Sequence, residues 1–317
     1  MIAHRNFLKD ICRLLFWFPL RWCVYAAPFP FIYHLGGLLG RTDYHFSGGR
    51  RVRNMSANIC EAFGCTPKQA RKTILQNLQN HCRNVLELMK YPQVSCQTMQ
   101  RILYFDRIHH LENEMKRGKG VILLTAHFGA KQVLQVALGL KGYRVNQIHY
   151  HMSHEELSWI QKHISQRQRV KIENQIPTTF IPAKGFMRSA YKCLMRNEIL
   201  IIAGDGIGLK THMDKSYLPF NFLGKKMLFP TGMISLAKKT SASILPVFVV
   251  REKSKHKIVI EPPINTEHDT DTDPITEYVR VFEKYIRQYP SLWEFWEEFE
   301  QGNLIAVPDS SNPNCQI

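Results

Sequence analysis

The 317-residue sequence predicts an α/β fold: a central, mostly parallel or mixed sheet flanked by helices, preceded by a helical membrane-associated extension at the amino end. Three observations predict it. Two apolar runs, 121–126 and 198–204, lack polar alternation over their central residues, as strands buried on both faces do. Segments of helical period alternate with these and with shorter strand-like runs. No internal repeat and no Pro/Gly/Ser-rich linker divides the chain, so residues 54–307 read as one domain and 308–317 as a loose Ser/Pro/Asn tail.

The elements follow in order. Residues 1–53 mix Phe7, Leu8, Ile11, the run Leu14-Leu15-Phe16-Trp17-Phe18, and Trp22 to Tyr25 with Arg5, Lys9, Arg13 and Arg21. The basic residues and Pro19 leave no run of about 18 apolar residues, so a spanning helix is not expected. The clean apolar stretch and small-residue cleavage site of a signal peptide are also missing. The segment reads as lying in a membrane interface, with Trp and Phe at the acyl boundary and Arg at the phosphates; a buried helix hairpin is the alternative. Helices are expected over 55–63, over 67–90 with Pro67 in the first turn, and over 98–117, ended by Gly118 and Gly120. Strand 121–126 comes next, then helix 131–141, strand 144–149, helix 154–166 and helix 184–197. Strand 198–204, helix 232–240, strands 244–250 and 258–261, helix 274–288 and an aromatic-acidic end at 290–300 complete the chain.

Composition narrows the function. A hydrophobic content of 44% with 21% charged residues is ordinary for a globular protein and excludes a collagen-like rod or a mostly disordered chain. The net charge of +16 is unevenly placed, since twelve acids and only three bases lie from Glu261 onward. The body is therefore strongly basic and suits a polyanion: an anionic membrane face, a phosphorylated lipid or an acidic carrier protein. No nucleic-acid-binding motif accompanies the charge, so nucleic acid is not an expected partner. The eight cysteines, Cys12, Cys23, Cys60, Cys65, Cys82, Cys96, Cys193 and Cys315, form no CxxC pair and read as reduced thiols of a cytosolic environment.

Chemistry is expected beyond the carboxyl ends of the strands. Strand 121–126 runs into His127-Phe128-Gly129-Ala130-Lys131-Gln132, and strand 198–204 runs into Asp205. A His leaving a buried strand beside Gly is held rigidly yet open, as a general base requires. An Asp at a neighbouring strand end can orient the imidazole and offset its charge; each residue also has the simpler role of starting a loop. His149, His151 and His154 have metal-like spacing, but only Glu155 and Glu156 lie nearby as acids, so no metal is expected. Gly204-x-Gly206-x-Gly208 lacks the spacing of a dinucleotide loop. Lys225-Lys226 and Lys238-Lys239 read as solvated pairs or phosphate contacts. Met187, Met195, Met227 and Met233 read as filling core or acyl-groove space.

His127 followed at the fifth position by Gln132, after an apolar strand, resembles the His-x4-(Asp/Glu) motif of glycerolipid acyltransferases. The chain more specifically resembles the bacterial lipid A biosynthesis acyltransferases, the late lauroyl/myristoyl-transferring group. The resemblance spans nearly the whole sequence. Asn54 to Glu61, the helix reaching Glu87, Ala183-Lys184-Gly185-Phe186-Met187, and Pro219-Phe220-Asn221-Phe222-Leu223-Gly224 carry it. So do Pro230, Gly232, Ala237, Pro246-Val247-Phe248, and Pro290, Trp293 and Trp296, all in the family's order.

That resemblance implies acyl transfer from an acyl-carrier-protein or coenzyme A thioester to a hydroxyl or amine of a membrane lipid such as a lipid A precursor. It implies no bound cofactor, and a peripheral or monotopic place on the cytoplasmic face of the inner membrane. A thioester is already activated, so the protein need supply only a base, an oxyanion site and a dry groove. His127 is the expected base. Backbone N–H groups at the helix start after Gly129, or Arg167 and Arg169, are the expected oxyanion donors, and Lys225 a substrate contact. One departure stands out: the family's acid is replaced by Gln132. An amide can hold the imidazole tautomer but cannot neutralise an imidazolium. Either Asp205 supplies the missing charge, or the protein is a catalytically impaired lipid- or carrier-binding relative.

Overall fold

The computed structural model describes residues 10–11, 13–46, 49–149, 158–183, 185, 187–205, 217–266 and 272–299. The helices are α1 (Arg21–Ala26), α2 (Phe29–Phe46), α3 (Gly49–Phe63), α4 (Pro67–Lys90), α5 (Cys96–Ile102), α6 (His109–Lys116), α7 (Lys131–Leu140), α8 (Gln166–Glu173), α9 (Met187–Met195), α10 (Gly232–Thr240) and α11 (Thr272–Gln288). The strands are β1 (Leu103–Asp106), β2 (Val121–Thr125), β3 (Val145–His149), β4 (Thr179–Pro182), β5 (Ile199–Ala203), β6 (Tyr217–Phe222), β7 (Lys225–Pro230), β8 (Ser243–Glu252) and β9 (Lys255–Ile260).

Seven strands form one sheet in the order β1-β9-β8-β2-β5-β3-β4, and β6 and β7 form a separate antiparallel hairpin. Strands β8, β2, β5, β3 and β4 are parallel; β9 turns back antiparallel to β8 and pairs parallel with β1. The α/β class with helices on both faces is therefore as expected. The two apolar runs lie side by side at its centre, Val121 opposite Ile199 and Thr125 opposite Ala203. All five residues of β2 are buried. Because side chains alternate along a strand, Ile122 and Leu124 pack with α3, α10, α11 and the closing aromatics, while Val121 and Leu123 pack with α5, α7 and α8.

The amino-terminal helices lie against α4. The chain packs α2 so closely on it that a Cβ on Gly36 would come within 2.8 Å of the Arg83 Cα, and one on Gly40 would strike the Gln79 backbone. The outer side of this region exposes Leu15, Phe18, Trp22, Phe31, Leu38 and Phe46. Among the described residues no helix is long and apolar enough to cross a membrane.

Several element boundaries differ from the sequence reading, each for a physical reason. The expected helix 98–117 is α5, the edge strand β1 and α6. Leu103-Tyr104-Phe105-Asp106 pairs with β9, and Arg107 at a φ of 58° then turns the chain. Helix α3 starts at Gly49 rather than 55, and the helix expected over 154–166 runs on to Glu173. Strand β4 and the β6–β7 hairpin are absent from the elements read from sequence: β4 has only four residues, and prolines fall within β6 and at the ends of β4 and β7. Met227 and Met233 do fill the core, but Met187 and Met195 are exposed on α9 and lie outside it. Residues 150–157, Lys184, Phe186, 206–216 and 300–317, with Cys12, His151, His154, Glu155, Glu156, Gly206, Gly208 and the loose tail, lie outside the described residues.

Candidate active site

The site begins with strand pairing. Thr125 and Ala203 end neighbouring parallel strands in register, and the Gly204 N–H donates to the Thr125 carbonyl at 2.7 Å. His127 and Asp205, each two residues beyond its strand, are thereby brought together. His127 Nδ1 lies 2.8 Å from Asp205 Oδ1 and 3.1 Å from Oδ2, and the His127 backbone N–H donates to Oδ2 at 2.7 Å. The carboxylate thus grips ring and main chain at once.

Exposure is unequal across the pair. The Asp205 side chain is 2% exposed and that of His127 is 22% exposed. Burial alone would raise the Asp205 pKa. The charge and hydrogen bond of His127, with the Lys131 charge and the His127 N–H, outweigh it and hold the carboxyl below its ordinary value. An ionised Asp205 only accepts, which assigns the ring proton to Nδ1 and leaves the Nε2 lone pair as the basic site. Phe295 packs on the imidazole with ring centroids 4.5 Å apart. Beneath the strand ends, Tyr278 donates its buried hydroxyl to the Thr125 carbonyl at 2.7 Å.

The loop carrying His127 is pinned along its backbone. Glu294 N–H donates to the His127 carbonyl at 2.9 Å, and Gly129 N–H donates to the Leu292 carbonyl at 2.8 Å. Gly129 has a φ of 60°, and any Cβ there would collide with the Val249 carbonyl, so this loop position requires glycine. Segment 290–296 is itself held by asparagines. Asn58 Nδ2 donates to the Trp296 carbonyl at 2.7 Å, and Asn77 Nδ2 donates to the Trp293 carbonyl at 2.6 Å and the Ser291 carbonyl at 3.1 Å. Asn84 Nδ2 donates directly to the Gly129 carbonyl at 2.9 Å.

The other sequence-singled residues fall as follows. Gln132 is partly buried on the first turn of α7; its Oε1 is buried without a hydrogen-bond partner, and the His127 ring is bonded to Asp205 instead. The Gly129 N–H is engaged by Leu292, which leaves the N–H groups of the following helical turn as the remaining candidates among the expected backbone donors. Lys131, at the start of that turn, has its ammonium pKa pulled down by burial, against the opposing charges of Glu294 and Asp205. Arg169 pairs with Glu173 at 2.8 Å while its charge still reaches Lys131; Arg167 is exposed on the same helix. Lys225 pairs with Glu61 at 2.8 Å and sits over the Phe299 ring. His149 meets the Phe180 ring, and no metal-binding group of His, Cys, Asp and Glu exists among the described residues.

Asn58, Asn77, Asn84, Tyr278 and Phe295 escaped the sequence reading. A signal for part of this set was present. Asn77, Asn80, Asn84 and Glu87 recur at helical spacing on α4, and all four are buried. A polar stripe facing inward needs partners, and here backbone carbonyls supply them for the asparagines.

An imidazole bonded to a buried carboxylate in this way can accept a proton at Nε2 and have the resulting charge compensated. The model of the bacterial lipid A biosynthesis acyltransferases matches residues 9–297. No curated protein matches the sequence. The match takes in both strand ends, the asparagine stripe and the aromatic segment that pins the loop, and the chain belongs to the bacterial lipid A biosynthesis acyltransferase family.

Proposed function

We propose that the protein is a membrane-associated acyltransferase that moves a fatty acyl chain from a carrier-protein or coenzyme A thioester to a hydroxyl of a lipid A precursor or related glycolipid. The observation that carries this reading is the bond between His127 Nδ1 and the buried Asp205 carboxylate. His127 Nε2 takes the proton of the acceptor hydroxyl as its oxygen attacks the thioester carbonyl. The new C–O bond forms, the tetrahedral intermediate collapses with cleavage of C–S, and the imidazolium returns the proton to the departing sulfur. Asp205 stabilises that imidazolium. N–H groups at the first turn of α7, at the positive end of the helix dipole, face the developing oxyanion.

Asp205 also bears on Gln132. The charge that the amide cannot offer is already in place 2.8 Å from the ring, which favours a working enzyme over an impaired relative. The exposed aromatic side chains of the amino-terminal region, among basic residues, suit a peripheral seat on an anionic leaflet. The basic body suits an acidic acyl carrier protein and a phosphorylated acceptor, and such donors, made in the cytoplasm, favour the cytoplasmic face for the reaction. A thioester donor requires no metal or bound cofactor for this route.

Mass spectrometry of membrane lipids, with and without the protein, tests the reading and identifies acceptor and chain length together. A lipid gaining the mass of one acyl chain is the expected result. An unchanged lipid profile with every thioester donor supplied would contradict it.

A further inference from the structure

We infer that Asn84, Glu87 and Arg251 are positioning residues that set the His127 loop from behind, an inference that rests on acyl transfer at His127. Asn84 bonds the Gly129 carbonyl, two residues beyond His127. A primary amide can turn either way, and the wrong way would set oxygen against oxygen. Arg251 decides the turn: its Nη2 donates to Asn84 Oδ1 at 2.8 Å, which leaves the Asn84 Nδ2 facing Gly129. The same guanidinium holds Glu87 with both arms, Nη1 to Oε1 at 2.7 Å and Nη2 to Oε2 at 3.0 Å. His256 Nε2 completes the cluster 3.0 Å from Glu87 Oε2, while its Nδ1 is buried without a partner.

The cluster is closed to water. The side chains of Arg251, Glu87 and His256 are 4–6% exposed. Burial would raise the Glu87 pKa, but the charges of His256 and Arg251 hold it far below the ordinary range. Its members come from separate elements: Asn84 and Glu87 lie one turn apart on α4, and Arg251 and His256 are cross-strand partners on β8 and β9. Strand β8 also provides the Val249 carbonyl that backs onto Gly129. Helix and sheet are thus locked together at the point where the base-bearing loop rests. A planar fork can bond Asn84 and both Glu87 oxygens at once, as a single ammonium cannot. None of these groups touches reacting atoms; each acts through the Gly129 carbonyl.

The test uses the full chain in detergent micelles with acyl thioester and lipid acceptor. Asn84→Asp is isosteric: it keeps an oxygen for Arg251 and removes the donor to Gly129. Its kcat is expected to fall about 10²-fold, the cost of a loop displaced by ~1 Å, with KM for both substrates held within about twofold. A folded Asn84→Asp with wild-type kcat overturns the inference. If that variant does not fold, Arg251→Lys, which keeps the charge and loses the fork, is expected to show the same split, and wild-type kcat there overturns it equally. A second readout is independent of turnover: the His127 Nδ1 proton bonded to Asp205, observed in histidine-labelled protein and identified by its loss in His127→Gln. This signal is expected to shift or broaden in Asn84→Asp, and an unchanged signal overturns the inference. A wild type that transfers no acyl chain would sink the reaction itself, and this signal would still judge the positioning.

Discussion

Two buried carboxylates act on the same short loop, and their partners differ. Asp205 faces an imidazole that still reaches solvent, whereas Glu87 faces a guanidinium and an imidazole that are both sealed. In the first cluster a proton can arrive and leave, and the carboxylate compensates the charge that appears. In the second the carboxylate is bonded by two partners that are closed to water, so the cluster contributes geometry. Exposure of the partner, more than residue type, separates chemistry from scaffolding here.

The largest expected effect lies at the first cluster. Asp205→Asn keeps the shape and removes the charge, and kcat is expected to fall by ~10³–10⁴, as in other imidazole–carboxylate pairs. A loss below about tenfold, measured on purified protein, would give Asp205 a loop-holding role only. At the second cluster, Glu87→Ala leaves Arg251 buried without its carboxylate. Denaturant unfolding is expected to show a loss of about 3–5 kcal/mol. A stability change near zero would mean that the cluster does not lock helix to sheet.

Acid sharpens the same comparison. Both carboxyls are depressed below their ordinary values of 3.8 and 4.5. Their contribution to stability is therefore complete above those ordinary values and is lost as pH falls through the lower folded-state values. The folded fraction should accordingly hold through mildly acid pH and drop only below about pH 4. Asp205→Asn should lose part of that acid dependence, and an unchanged acid limb would exclude Asp205 as its source. The smallest effect is expected at Gln132. With Asp205 already bonded to the ring, Gln132→Glu should change kcat by less than about threefold. A rise above about tenfold would show that the amide is a handicap and that Asp205 does not supply the missing charge.

How far these clusters were legible follows from the physics. Asp205 and His127 each end a continuous apolar run, and neighbouring parallel strands deliver their ends to one edge, so their meeting was readable from local pattern. Arg251 meets Glu87 across 164 residues of chain, and no local pattern marks that encounter. The stripe from Asn77 to Glu87 was visible as helical spacing, but its inward direction depended on which backbone carbonyls were buried opposite. Strand β1 was hidden because Leu103 continues the apolar spacing of the helix before it. Only pairing with β9, from far along the chain, decides its conformation. The β6–β7 hairpin turns at Leu223 and Gly224, which both adopt positive φ, and Leu223 there is a residue whose type gives no sign of such a conformation.

The most direct measurement is single-turnover transfer of a labelled acyl chain by His127→Ala, purified in detergent and verified as folded. Loss of transfer, with thioester and lipid still bound, is the result predicted by a base at this imidazole. Transfer at the wild-type rate would contradict it.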